Sequence, residues 1–274
     1  MKLNSNFFNK VKANLFNGSL TQQQVDGLNS IFNAWEKVDG KSIDLLAFSL
    51  AITYHEVGQK MIPVKENLNY TTAAQIKKVW PTRFPTIADA QLYVKNPQKL
   101  ANKVYTGRMG NNAPNDGYLY LGRGYSQITG KENYTKFGKL LKLDLVNNPD
   151  LVLQPEIGAQ ILILGIRDGL FTGKKLSDYT SFNKARATVN PDSTRKAANG
   201  LTIGQNVENY TNKFKEALSN GIDKTTSVVV PKPDTPVNEP PVVTPNPPAS
   251  NKPTTLADIL SKILNAILSV FRRK

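Results

Sequence analysis

Glu56 and Glu66 are placed as a catalytic pair would be. Glu56 ends an apolar, helix-forming stretch that begins near Ser42, and Glu66 follows ten residues later, after Gly58 and Pro63 have turned the chain. Two carboxyl groups on either side of a turn can face each other across a groove. Cleaving a glycosidic bond needs such a pair. One is protonated, to donate to the leaving oxygen, and one is ionised, to activate water or stabilise the sugar cation. Ile52, Tyr54 and Val57 flank Glu56, and apolar surroundings of that kind favour the protonated form that an acid needs. Spacing alone is a weak signal, because a helix-end Glu is more often a solvated surface charge.

Several other chemistries are excluded. The chain has no cysteine and one histidine, which rules out disulfide scaffolds, thiol nucleophiles, Cys zinc sites and His-rich metal centres. His55-Glu56 begins like the HExxH zinc motif, but Gln59 stands where the second His must be. The alternative role for His55 is a partly buried ring bonded to a neighbour. Gly122-Arg123-Gly124 resembles a phosphate loop at a glance, but no Lys-Ser/Thr follows it. Acid–base hydrolysis requires no metal and no cofactor.

The elements that must position these residues are mainly helical. Thr21 and Gln24 form a capping-box pattern, followed by Val25, Leu28, Ile31, Phe32 and Trp35 at helical spacing. Ser42 opens a second helix that runs toward Glu56. Pro155 suits a helix start, with Ile157 to Arg167 reading as a buried helix. A further helix is expected over Val207–Leu218. Between Tyr70 and Tyr134 the prolines at 81, 85, 97 and 114 and several glycines predict short helices and long loops, where sites tend to lie. No long alternating strand run and no fixed repeat is present.

The chain is read as three parts: a catalytic domain over 1–222, a linker over 223–253 and a tail helix over 254–274. Nine of the 17 prolines fall within Val228–Pro253, so this stretch reads as an extended spacer, with an SH3-type docking segment as the minor reading. In the tail, Leu256, Ile259, Leu260, Ile263, Leu264, Ile267, Leu268 and Phe271 make one apolar stripe, closed by Arg272, Arg273 and Lys274. An amphipathic basic helix of this kind suits an anionic membrane surface. Oligomerisation and docking onto the core are the alternatives.

Several segments resemble the catalytic domain of glycoside hydrolase family 19, the chitinase-like family, in the branch found among phage endolysins. They are residues 51–59 (AITYHEVGQ), 66–70 (ENLNY), the RFPT and NPQKLANKVY stretches, and above all 120–134 (YLGRGYSQITGKENY), with 170–179 and 187–191 extending the match. The similarity covers Leu20 to Leu218. It implies a mainly α, lysozyme-like, two-lobed α-rich (α+β) fold and an inverting mechanism. By that resemblance Glu56 is the general acid, Glu66 the general base, and Thr129 helps hold the attacking water. Gln127, Asn133 and Asn190 fall at substrate-binding amides, and Arg123 and Tyr125 line or support the groove, with bracing of the loop as the alternative role for Arg123. Plant-type members carry the base farther downstream, so Asp116 is the reserve candidate for it.

The expected function is hydrolysis of β-1,4 bonds in peptidoglycan glycan strands by an endolysin. The alternatives are a chitinase and a membrane-active antibacterial protein driven by its tail. The net charge of +14 suits an anionic cell wall. Nucleic acid is not an expected partner, because the charge is dispersed and no binding motif accompanies it. Residues 1–20 lack the apolar core of a secretory signal. Synthesis in a host cytoplasm, with release to the wall through a phage holin, is the corresponding expectation.

Overall fold

A computed structural model describes residues 1–224. The expected linker beyond residue 224 and the expected tail helix lie outside the described residues. The chain divides into two units, Met1–Ser227 and Val228–Lys274, and everything described belongs to the first. In chain order its elements are β1 (Lys2–Leu3), α1 (Ser5–Asn14), α2 (Gln22–Val38), α3 (Ile43–Glu56), β2 (Val64–Lys65), α4 (Ala73–Val79), α5 (Ile87–Gln91), α6 (Pro97–Tyr105), α7 (Asp116–Leu119), β3 (Arg123–Gly124), α8 (Lys131–Leu141), α9 (Pro155–Asp168), α10 (Phe182–Ala185), α11 (Ile203–Leu218) and β4 (Ile222–Asp223). The mainly helical reading holds.

Local chemistry sets the helix starts. Thr21 and Gln24 exchange the two hydrogen bonds of a capping box at the head of α2, and the Ser42 hydroxyl accepts from the Leu45 N–H at 3.1 Å to start α3. Every residue of α3 from Leu45 to Thr53 is buried. A helix apolar on all sides must be covered on all sides, and α11, α2 and α9 all pack on it. The expected helix over Val207–Leu218 begins earlier, at Ile203, because Thr202 and Gln205 form another capping box. α1 was not expected; Asn4 caps it and Phe7 and Val11 anchor it.

Three apolar clusters fill the interior. The largest joins α1, α2, α3, α9 and α11. A second gathers Leu68, Ile76, Phe84, Leu100, Val104 and Leu121 around α4–α6. The third holds Tyr120, Ile128, Tyr134, Phe137 and Val152. The segment carrying Glu66 leaves the first cluster at Val64 and enters the second at Leu68.

Two close approaches hold that segment. A Cβ on Gly27 of α2 would stand 1.8 Å from the Met61 carbonyl oxygen, so only glycine lets the helix press against the turn between Glu56 and Glu66. β2 then pairs antiparallel with β3, Val64 opposite Gly124 and Lys65 opposite Arg123. The Glu66 N–H continues the ladder to the Gly122 carbonyl at 2.8 Å.

Candidate active site

Glu66 is the better defined of the two acids. Its Oε1 accepts a hydrogen bond from the Tyr105 hydroxyl at 2.8 Å, and its Oε2 lies 3.4 Å from the Gly122 N–H. A methyl group placed on Gly122 would lie 3.0 Å from Gln127 Oε1, 3.3 Å from Thr129 Oγ1 and 3.4 Å from Glu66 Oε2. Three side-chain oxygens therefore converge on the spot that glycine leaves open. Burial pushes the Glu66 carboxyl above the ordinary range, and the bonds from Tyr105 and Gly122 only partly offset this. The phenol of Tyr105 is pushed up as well, by burial first and then by the charge of Glu66.

Glu56 emerges at the C-terminal end of α3. The expectation of purely apolar surroundings is corrected here. Glu56 Oε1 accepts from Arg186 Nη2 at 2.5 Å, and the same nitrogen lies 3.3 Å from Asp192 Oδ1. The Arg186 side chain is 2% exposed, whereas those of Glu56 and Asp192 are each 21% exposed. A buried guanidinium is tolerable only when carboxylates meet it, and here two share it. The desolvated carboxyl is thus Glu66, while Glu56 answers to a cation. His55 lies against Tyr210, with ring centroids 6.5 Å apart. Burial lowers its pKa, and Glu56 opposes that in part.

Thr129, on the loop before α8, donates its hydroxyl to the Gln127 carbonyl at 3.0 Å, which leaves its oxygen free to accept. Gln127 spends its Nε2 on the carbonyls of Val64 and Gly124, both at 2.9 Å. It clamps the β2–β3 ladder and presents only Oε1 to the site. Asn133 donates to the Thr129 carbonyl at 2.8 Å and so fixes that loop from α8. Asn190 is exposed, and its Oδ1 accepts from the Asp192 N–H at 3.1 Å, which shapes the turn that carries Asp192.

Three expected residues are placed elsewhere. Tyr125 is fully buried in the largest cluster, so it supports the fold and cannot touch a glycan. Arg123 is likewise buried, and it donates to Asp150 at 2.6 Å, to the Leu119 and Leu121 carbonyls and to the Tyr134 hydroxyl; it braces the loop. Partial burial would raise Asp150, but the bond and charge of Arg123, with Lys65, outweigh it and hold the carboxyl low. Asp116 is buried too, and its Oδ2 accepts from the Asn112 and Ala113 N–H groups. That carboxylate organises a loop, which leaves Glu66 as the base candidate.

Sequence reasoning missed Arg186, Asp192 and Tyr105. Arg186 stands immediately before the 187–191 stretch and Tyr105 ends the NPQKLANKVY stretch, so both sat at the edges of segments already singled out. Two hollows of about 520 Å³ lie elsewhere, one beside Asp44, Arg167 and Lys215, the other beside Lys65, Tyr118 and Asp150; neither is lined by Glu56 or Glu66.

No family model matches the chain. Among curated proteins, it is 34% identical over 148 residues to a Haemophilus influenzae protein described as a glycosyl hydrolase family 19 domain-containing protein, covering 53% of this chain and 69% of that protein. It is 61% identical over 33 residues to an acidic endochitinase of Petunia hybrida, 12% of this chain and 13% of that one. Among solved structures, chitinase C from Streptomyces griseus aligns with a TM-score of 0.47 at 18% identity, over 81% of this chain and 79% of that one. A bacterial family 19 chitinase aligns with a TM-score of 0.38 at 20% identity, over 79% and 95%.

Proposed function

The chain belongs to glycoside hydrolase family 19, and on that premise we propose that it is an endolysin that hydrolyses β-1,4 bonds of peptidoglycan glycan strands by an inverting acid–base mechanism. The observation that carries the mechanism is the convergence of Glu66 Oε2 and Thr129 Oγ1 beside Gly122. A water seated between them donates one hydrogen to each oxygen and turns a lone pair outward, toward the anomeric carbon. Glu66 takes the proton as the C–O bond forms. Burial favours this, since a carboxylate with a raised pKa is a stronger base. Glu56, protonated on Oε2 while Oε1 accepts from Arg186, gives that proton to the leaving oxygen and becomes the carboxylate that Arg186 stabilises. Asp192 stays as counter-ion to Arg186, which aims the Glu56 carboxyl.

The net charge of +14 supports an anionic wall as the place of action, reached after synthesis in a host cytoplasm. Residues 254–274 are proposed to bind anionic bacterial membrane, and a peptide of that segment is expected to gain helical circular dichroism on anionic vesicles. Self-association in buffer with no gain on vesicles would argue for oligomerisation instead. The second reading, a chitinase, is favoured by the name of the Petunia protein. Mass spectrometry of a purified peptidoglycan digest, run beside chitin oligomers, separates the two. Soluble muropeptides with hydrated reducing ends support the endolysin, cleavage of chitin alone supports the chitinase, and anhydro ends contradict attack by water. Lysis of permeabilised cells that persists in Glu56→Gln would assign killing to the tail.

A further inference from the structure

The geometry points to Tyr105 as the positioning residue of the base: its hydroxyl ties up Glu66 Oε1 and so assigns proton abstraction to Oε2. This inference rests on the reading of Glu66 as the base. The terminal torsion of a Glu side chain is broad and nearly two-fold, so an untethered carboxylate exchanges its oxygens and tilts its plane. Tyr105 donates to Oε1 at 2.8 Å, which leaves Oε2 facing Gly122 and Thr129.

Tyr105 is itself held. It ends α6, and its carbonyl accepts from Asn111 Nδ2 at 3.1 Å. Asn111 is fully buried. Its Oδ1 accepts from the Lys131 N–H at 2.9 Å, at the head of α8, two residues after Thr129. Its carbonyl accepts from the Gly107 N–H at 2.7 Å. One buried amide therefore fixes the residue that tethers Oε1 and the loop that carries the hydroxyl opposite Oε2 in a common frame. The groups around Glu66 are Tyr105 from α6, Tyr70 just downstream, the Gly122 N–H beside β3, Thr129 and Gln127 before α8, and Tyr134 within α8; Arg108 acts on Tyr105 from beyond α6. Among these, Tyr105 gives the only side-chain hydrogen bond that favours the ionised carboxyl.

The test is Tyr105→Phe, which keeps the ring and removes the donor, assayed on the glycan that the wild-type protein cuts fastest. A lost hydrogen bond to a charged group predicts a fall in kcat of about ten- to hundredfold with KM within about twofold. The acid limb of the kcat/KM profile should move to higher pH, because the ionised form loses its donor. Wild-type kcat with an unmoved limb overturns the proposal. So does a fall in activity that follows thermal stability with the limb unmoved, since a merely structural tyrosine gives that result. Global 3-fluorotyrosine incorporation, with Tyr105→Phe as its control, provides a second reading: the more acidic phenol should move the limb down only when Tyr105 is present. Glu66→Gln is measured in parallel. If it keeps full activity, the base reading itself fails, a different outcome from an inert Tyr105→Phe beside an inactive Glu66→Gln.

Discussion

Replacing Gly122 by alanine puts a methyl group where the account places the attacking water. The added carbon meets Gln127 Oε1 at 3.0 Å, Thr129 Oγ1 at 3.3 Å and Glu66 Oε2 at 3.4 Å. All three are ends of side chains that yield by a few tenths of an ångström, and Gly122 is not among the residues with positive φ. The strain therefore costs roughly 1 kcal/mol, and the loss of glycine freedom in the unfolded chain returns about 0.4–1 kcal/mol. The net change is small, a Tm within about 4 °C of wild type. Activity should behave differently. Excluding water from between Oε2 and Oγ1 disables the base, and positioned acid–base groups are worth about 10²–10⁴ in rate, so kcat should fall at least about 100-fold. Reducing-end release and a thermal melt on the same preparation make the test. A folded Gly122→Ala protein that keeps activity within about threefold of wild type refutes the placement of the water.

Three further outcomes follow from the same geometry. Arg186→Met leaves Glu56 and Asp192 side by side without their shared cation; breaking a buried pair costs about 3–5 kcal/mol, reduced to about 2–4 kcal/mol here because both acids reach solvent, and a Tm unchanged in a melt would contradict it. Gly27→Ala drives a carbon into the Met61 carbonyl at 1.8 Å and should lose about 2–3 kcal/mol, read as a lower denaturant midpoint. Glu66→Gln tests the burial of that carboxyl. Its folded pKa is raised, so the stability it contributes is complete below the unfolded value of about 4.3 and is lost as pH rises through the folded value. The variant should therefore melt above wild type at pH 7, with the gap closing near pH 4; a lower Tm at pH 7 would contradict the desolvation.

α3, which ends at Glu56, and the helices α2 and α9 packed on it were legible because their signals are local. Thr21, Gln24 and Ser42 cap as their spacing implies, and Pro155 opens α9. α1 was missed because only Phe7 and Val11 mark its buried face among asparagines and lysines. Glu66 reached the candidate list by its spacing from Glu56 and Thr129 through family resemblance, and their shared position beside Gly122 depends on a strand pair of two residues, too short to leave a periodic pattern. Arg186 lies 130 residues from Glu56 and Tyr105 lies 39 from Glu66, so no spacing rule connects either pair. Tyr125 and Arg123 were expected to line or support the groove, and the structure gives both the supporting role: a motif names residues that matter without saying which face the glycan and which hold the loop behind them.

The central claim is that water, directed by Glu66, attacks while Glu56 protonates the leaving sugar. Proton NMR of the first products released from a β-1,4-linked glycan measures this directly. The account predicts that the new reducing ends appear as the α anomer before mutarotation; β anomers in the earliest spectra would mean retention and would contradict it.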